Sequence, residues 1–145
     1  MYSSIIFFFL FFTIFHLQTT TVLAFRQQFV GVRGQLICGN QNLSNTQVKL
    51  WNKNKIGTDD QIAAMKTGAD GTYELSGGIG SLFGMKVVLK IYHDCNDGIK
   101  PCQRKVVLGI PDNYVTRSSS VKKFFNAGIL NMETVFPDEE RSCIN

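Results

Sequence analysis

The sequence predicts an all-β domain, a sandwich or barrel of about seven short strands. Apolar and polar residues alternate in short runs, turn-forming clusters separate those runs, and no stretch has a convincing helical period. The chain has 145 residues, of which 44% are apolar, and a formal net charge of +4. That composition is typical of one globular domain, and the scattered basic residues are not typical of a nucleic-acid-binding protein.

Residues 1–24 differ from the rest of the chain, because they contain no Asp, Glu, Lys or Arg and hold six of the 12 Phe. The apolar run Ile5–Leu17 is 13 residues long, shorter than the roughly 20 residues of a membrane-spanning helix. Val22 and Ala24 are small residues suited to a cleavage site after Ala24. We therefore predict a signal peptide over residues 1–24 and a secreted, extracellular domain over residues 25–145 without a transmembrane segment. An uncleaved membrane anchor is the alternative.

The mature chain alternates between predicted strands and turns. The Asp70-Gly71 dipeptide has the chemistry of a tight hairpin turn, whereas Asn52–Asp60 and the glycine-rich Ser76–Gly84 are predicted connections. Gln61–Lys66 is compatible with one helical turn, but nearby glycines bound it too closely for a helix, and Phe136–Asn145 is a polar tail. In chain order the predicted strands are Phe29–Cys38, Gln47–Trp51, Thr72–Leu75, Met85–Asp94, Gln103–Pro111, Tyr114–Val115, Lys122–Phe125 and Ala127–Glu133.

The mature chain holds all four cysteines, and an even number of cysteines in a small exported domain predicts two disulfides. An antiparallel pairing of the strands Met85–Asp94 and Gln103–Pro111 aligns their apolar faces, with Ile91 opposite Val106 and Leu89 opposite Leu108. The same register places Cys95 opposite Cys102, so we predict the pairs Cys95–Cys102 and Cys38–Cys143. The alternative is a zinc site formed by Cys95, Cys102 and His93. It is disfavoured because an exported protein folds in an oxidising compartment, where cysteines form disulfides.

His93 is the single histidine of the predicted mature chain. The hairpin register places it on the inward face opposite Arg104, where both side chains are expected to hydrogen-bond the Cys95–Cys102 loop. The sequence has no Gly-x-Ser-x-Gly motif and no second histidine for a metal pair. We therefore predict no catalytic site, no metal site and no cofactor.

Two surface features are candidates for function. Asn42-Leu43-Ser44 is an N-glycosylation sequon in a predicted turn, so Asn42 is a candidate glycosylation site. Lys86, Lys90 and Lys105 are predicted on the outward face of the hairpin, with Tyr92 among them. We expect this basic face to bind an anionic membrane surface or an acidic partner; an ordinary solvated surface is the alternative.

One set of segments has a recognisable pattern: Val32–Gly39, Val48–Trp51, Thr67–Gly77, Lys90–Lys105, Ile110-Pro111, Tyr114 and Gly128–Glu133. Together these segments resemble the nematode transthyretin-like family of secreted proteins. The resemblance covers nearly all of residues 30–133 and is most specific over Lys90–Lys105, which contains Tyr-His-Asp-Cys and Pro-Cys. It implies a prealbumin-like sandwich of two antiparallel sheets, in a family whose members mostly have no assigned biochemical activity. The chain departs from the family pattern between Ser76 and Lys86 and is short around Asn52–Gln61.

The expected function is that of a secreted binding or adaptor module without catalytic activity, whose partner is a cell-surface component, a lipid or a host protein. A carrier of a small apolar ligand is the alternative. A hydrolase is a poorer one, because fold relatives that hydrolyse 5-hydroxyisourate carry several His and Arg residues and a Tyr-Arg-Gly-Ser C-terminus. This chain ends instead in Arg141–Asn145.

Overall fold

The computed structural model describes residues 27–81 and 83–145. The predicted signal peptide lies outside these residues. The described chain forms two sheets, with strand orders β2-β1-β5, where β8 also pairs with β1, and β4-β3-β6-β7-β9. The elements are β1 (Gln27–Cys38), β2 (Gln41–Asn42), β3 (Gln47–Asn52), β4 (Asp60–Lys66), β5 (Thr72–Gly80), β6 (Val87–His93), β7 (Gln103–Gly109), a short 3₁₀ helix (Asp112–Tyr114), β8 (Phe124–Asn131) and β9 (Glu140–Ser142).

The predicted fold class, a two-sheet β-sandwich, is confirmed. The strand pairs are antiparallel except for β1 and β8, which run parallel with a register shift between Arg33 and Gln35. The two sheets enclose one apolar core, as the alternation of each strand predicts. Its large buried side chains are Val30, Val32, Leu36, Val48, Leu50, Tyr73, Leu75, Met85, Val87, Leu89, Ile91, Val106, Ile110 and Met132.

Two segments without a strand prediction extend the sheets. Residues Gln61–Lys66 belong to β4, which pairs with β3 through a bulge between Leu50 and Trp51. The glycine-rich start of the predicted connection Ser76–Gly84 belongs to β5. The space that side chains would take at Gly77 and Gly78 is filled by Ile62 and Phe29. A Cβ on Gly78 would lie 2.6 Å from the Phe29 ring, so this strand needs glycine at that position.

The end of the chain also differs from the prediction. The predicted strand at Tyr114–Val115 is replaced by the 3₁₀ helix, and the polar tail contributes β9. β9 pairs antiparallel with β7 and covers the edge that β7 would otherwise expose. No helix among the described residues is long and apolar enough to cross a membrane.

The hairpin register is confirmed, but the predicted disulfide pairing is wrong. Leu89 lies opposite Leu108 and Ile91 opposite Val106, as the apolar faces require. The disulfides are nevertheless Cys38–Cys95, with a Cα–Cα distance of 5.7 Å, and Cys102–Cys143, with 4.3 Å.

The physical reason for the different pairing lies just beyond the last hydrogen-bonded pair of the hairpin. Cys95 keeps the inward direction of β6 and is 4% exposed, so it reaches Cys38 in the opposite sheet. Cys102 has a φ of +65°, which breaks the strand geometry and leaves its sulfur beside Cys143, next to β9. The zinc alternative is excluded as well, because both of its cysteines are consumed in disulfides with other partners.

Candidate functional site

The predicted basic face lies on the outer side of the five-stranded sheet. The Lys90 ammonium sits 4.3 Å from the centre of the Trp51 ring, a cation–π contact. Burial lowers the pKa of Lys90. Lys105 forms an ion pair with Glu140, and Lys86, which precedes β6, forms one with Asp112 at 2.5 Å. Each of the three lysines therefore already has a partner within the chain.

Tyr92 is placed differently from the expectation. It is only 6% exposed, and the Lys49 ammonium lies 5.5 Å from the centre of its ring. Burial raises the pKa of its hydroxyl. The basic face points outward, as predicted, but Tyr92 is buried within it and is not available to a partner.

His93 lies inward opposite Arg104, as predicted. It is 2% exposed, and its Nδ1 accepts a hydrogen bond from the Cys95 backbone N–H at 3.2 Å. Burial, followed by the charge of Arg104, lowers the pKa of His93 to about 4. The imidazole is therefore neutral at neutral pH, with its proton on Nε2, which has no partner among the described residues.

Arg104 connects three parts of the chain. Its guanidinium donates to the backbone carbonyls of Cys95 at 2.7 Å, Met132 at 2.9 Å and Thr134 at 2.9 Å. It also donates to both carboxylate oxygens of Glu139, at 2.5 and 2.9 Å. These bonds hold the pKa of Glu139 below its usual range. Because every donor is directed at a group of the protein, the His93–Arg104 cluster is suited to holding the fold together rather than to chemistry on a substrate.

A second feature, which the sequence analysis missed, lies at the other end of the sandwich. The β3–β4 loop (residues 53–59) and the described part of the β5–β6 loop (residues 81 and 83–86) form a cleft of about 390 Å³. Ile56 and Phe83 line it and are 92% and 70% exposed. We call this the tip cleft; it is lined by Asn52, Lys53, Asn54, Lys55, Ile56, Ser81, Phe83, Gly84 and Lys86.

The loops at this end are strongly basic. We define the basic loop end as residues 53–59, 81, 83–86 and 110–123, which follow or precede strands at the same end of the sandwich. These loops carry six Lys or Arg and two Asp. Asp59 pairs with Lys53 at 3.0 Å and Asp112 with Lys86. Within the described chain, no carboxylate forms an ion pair with the remaining cations, which are Lys55, Arg117, Lys122 and Lys123.

The opposite end is acidic. We define the acidic loop end as residues 39–46, 67–71, 94–102 and 132–139, which contain six Asp or Glu and a single Lys. Two of the six, Asp97 and Glu139, pair with Arg141 and Arg104, so four acidic side chains remain without an ion pair in the described chain. Both disulfides and the Arg104 cluster lie at this end. The sandwich is therefore electrically polarised along its strands. The sequence conceals this because basic and acidic loops alternate along the chain.

The comparison with known proteins places the chain in a family. A profile described as the transthyretin-like family matches residues 33–111, which include the tip cleft and the β6–β7 hairpin. The chain belongs to the transthyretin-like family. The resemblance inferred from the sequence is thereby confirmed.

Several curated relatives match this transthyretin-like chain over most of its length, all from Caenorhabditis elegans. Transthyretin-like protein 5 is 41% identical over 119 residues, covering 81% of this chain and 86% of the relative. Transthyretin-like protein 33 is 40% identical, with coverages of 81% and 83%. Transthyretin-like protein 46 is 42% identical, with coverages of 83% and 69%.

Among solved structures, a 9R-lipoxygenase from Cyanothece is 15% identical, with a TM-score of 0.41, and the match covers 72% of this chain and 16% of the lipoxygenase. That similarity is too low to support an argument about fold or function.

Proposed function

We propose that this transthyretin-like protein is a secreted, non-catalytic binding module that attaches to anionic membrane surfaces through its basic loop end. The observation that carries the proposal is the exposure of Ile56 and Phe83 in a cleft that is also lined by Lys53, Lys55 and Lys86. Large exposed apolar side chains with basic neighbours are typical of protein surfaces that enter the interfacial region of a bilayer.

The energetics favour this end over the sheet face. Each Lys or Arg close to an anionic membrane contributes about 1 kcal/mol. Lys90 and Lys105 would first have to leave Trp51 and Glu140. In the basic loop end, Lys123 lies 4.6 Å from the centre of the Tyr114 ring, but Lys55, Arg117 and Lys122 have neither an ion pair nor an aromatic partner in the described chain. Burying an Ile or Phe side chain adds roughly 1.5–3 kcal/mol. The charge of the acidic loop end repels an anionic surface, so the polarity of the sandwich also sets its orientation.

The other candidate functions gain no comparable support. A carrier needs an internal cavity, but the facing side chains of the two sheets, such as Leu36, Leu50 and Met132, are fully buried in one cluster. For the hydrolase alternative, the single histidine of residues 25–145, His93, is buried beneath the Arg104 network.

Secretion is part of the proposal. Two disulfides in a chain of this size are supporting evidence, since such bonds persist in oxidising compartments. The first residue of the secreted protein should be Phe25, determined by N-terminal sequencing. Asn42 is exposed in β2, and we propose that it carries the glycan. Treatment of the secreted protein with a glycosidase should then reduce its mass, and Asn42→Gln should abolish the reduction.

Vesicle co-sedimentation tests the membrane proposal. The wild-type protein should bind phosphatidylcholine vesicles only when they contain an anionic phospholipid, and added salt should weaken the binding. The double variant Ile56→Ser/Phe83→Ser should bind at least about tenfold more weakly.

Ile129→Ser is the matched control, because Ile129 is also exposed, at 65%, but lies in β8. It should bind like the wild-type protein. Equal binding by the double variant and the wild-type protein would refute the assignment of the binding surface.

A further inference from the structure

The β6–β7 loop, residues 94–102, is anchored from both ends. Cys95 joins it to β1 through Cys38, and Cys102 joins it to the end of the chain through Cys143. Between them, the Asp97 carboxylate receives three hydrogen bonds of 2.8–2.9 Å from Arg141. Both disulfides of the domain therefore hold this one loop in place.

The loop backbone is also defined in detail. Asn96 and Gly98 adopt φ values of +52° and +59°. The Asp97 N–H donates to the Asp94 carbonyl at 3.2 Å, and the Lys100 N–H donates to the Asp97 carbonyl at 3.3 Å. Two consecutive hydrogen-bonded turns thus shape the loop, and the second of them contains Ile99.

Ile99 itself has no packing role in the folded chain. Its relative exposure is 104%, so the anchored loop presents an apolar side chain entirely to water. Fixing a loop before association lowers the entropy cost of binding, which makes a rigid apolar tip an efficient contact residue. Two further exposed aliphatic residues, Val135 and Ile144, lie near the same end, at 77% and 86% exposure.

The surroundings of Ile99 indicate the chemistry of its partner. Of the six Asp or Glu in the acidic loop end, Asp97 and Glu139 are paired with Arg141 and Arg104, which leaves four against the single Lys100. A fitting surface is therefore an apolar cleft with a basic rim. The tip cleft of the same protein has this character, because Ile56 and Phe83 line it together with three lysines. Two of these, Lys53 and Lys86, also pair with aspartates of the same end, and Lys55 has no ion pair in the described chain.

We infer that the partner of the Ile99 loop is a second copy of this chain, which receives Ile99 in its tip cleft. The two ends are complementary in charge and each presents exposed aliphatic or aromatic side chains. The contact joins different surfaces of the two copies, so it is heterologous and extends head to tail instead of closing as a symmetric dimer. Opposite charges speed the encounter, and salt weakens it.

This association regulates the surface assigned above, and that part of the inference rests on the proposed function. A tip cleft occupied by Ile99 of another copy is not available to a membrane. Anionic vesicles should therefore dissociate the head-to-tail assemblies, and self-association should reduce vesicle binding at high protein concentration.

Complementary variants test the inference on the purified protein. Ile99→Ser keeps an intact tip cleft but lacks the inserted side chain, whereas Ile56→Ser/Phe83→Ser keeps Ile99 and lacks the apolar cleft. Sedimentation velocity should show each variant alone as a monomer, and the wild-type protein as a mixture of sizes that grows with concentration and shrinks with salt. An equimolar mixture of the two variants should form dimers and nothing longer, because each dimer exposes only defective ends.

Every other result contradicts the inference. Association of Ile99→Ser alone would exclude the loop as the contact, and a mixture that stays monomeric would exclude the pairing of these two ends. Ile129→Ser, the matched control, should associate like the wild-type protein. The proposed function is tested separately, because Ile99→Ser should still bind anionic vesicles. If the wild-type protein bound anionic vesicles but stayed monomeric at every concentration, only this inference would be overturned.

Discussion

Removing the charge of Glu139 should destabilise the fold more than removing the charge of any exposed side chain. Glu139 and Arg104 have side chains that are 12% and 8% exposed, so Glu139→Gln leaves a buried guanidinium without its counter-ion. Breaking such a pair costs about 3–5 kcal/mol. Three backbone carbonyls still accept hydrogen bonds from Arg104, so we expect the lower end of that range, about 3 kcal/mol, and a decrease in Tm of roughly 10 °C.

Thermal and urea denaturation of the secreted protein measure this effect, and the adjacent residue provides a control. Glu140 pairs with Lys105 on the surface, and its side chain is 61% exposed. Glu140→Gln should therefore change Tm little, because exposed ion pairs contribute little to stability. If the two variants lose the same stability, the argument that Arg104 organises this end of the fold is wrong.

The pH dependence of the same variant gives an independent check. The Arg104 guanidinium holds the folded-state pKa of Glu139 below its ordinary value of 4.5. The stabilisation is therefore fully present above the unfolded-state pKa and is lost as the pH falls through the lower folded-state pKa. The difference in unfolding free energy between wild-type protein and Glu139→Gln should decrease as the pH falls below about 4.5.

Three further predictions concern other parts of the fold. His93 has a folded-state pKa of about 4 against an ordinary 6.5, so its protonation favours the unfolded chain. The wild-type protein should therefore lose stability as the pH falls from 6.5 to about 4. Urea denaturation at several pH values should show that His93→Gln lacks this pH-dependent loss. Gly34→Ala should lower Tm, because the new Cβ would lie 2.6 Å from the Tyr73 hydroxyl; an unchanged Tm would contradict the close approach. Mild reductant should open Cys102–Cys143 before the bond to the buried Cys95, since Cys143 is exposed; peptide mapping after alkylation shows the order.

The sequence was informative wherever a period of two determines which side is buried. The register of the β6–β7 hairpin and the inward position of His93 both followed from alternation, because a slip of one residue would expose the whole apolar face. Alternation says nothing about residues beyond the last strand pair. The disulfide prediction failed there, since the positive φ of Cys102 turns its side chain out of the hairpin.

The missed strands have a related cause. Glycine lowers strand propensity, so the glycines after Ser76 indicated a connection. In the folded chain those glycines create room for neighbouring side chains, as Gly77 does for Ile62 and Gly78 for Phe29. Such contacts join residues that are distant in sequence, and they become visible only once the sheet pairing is known.

The candidate site depends on distant parts of the sequence in the same way. Consecutive connections of an antiparallel sandwich emerge at alternating ends, so the three loops of the basic loop end meet although acidic loops separate them in the sequence. The disulfides and the Arg104 network stabilise the opposite end, so the tip can change its side chains at little cost to folding. Binding properties can therefore differ among transthyretin-like proteins that share one scaffold.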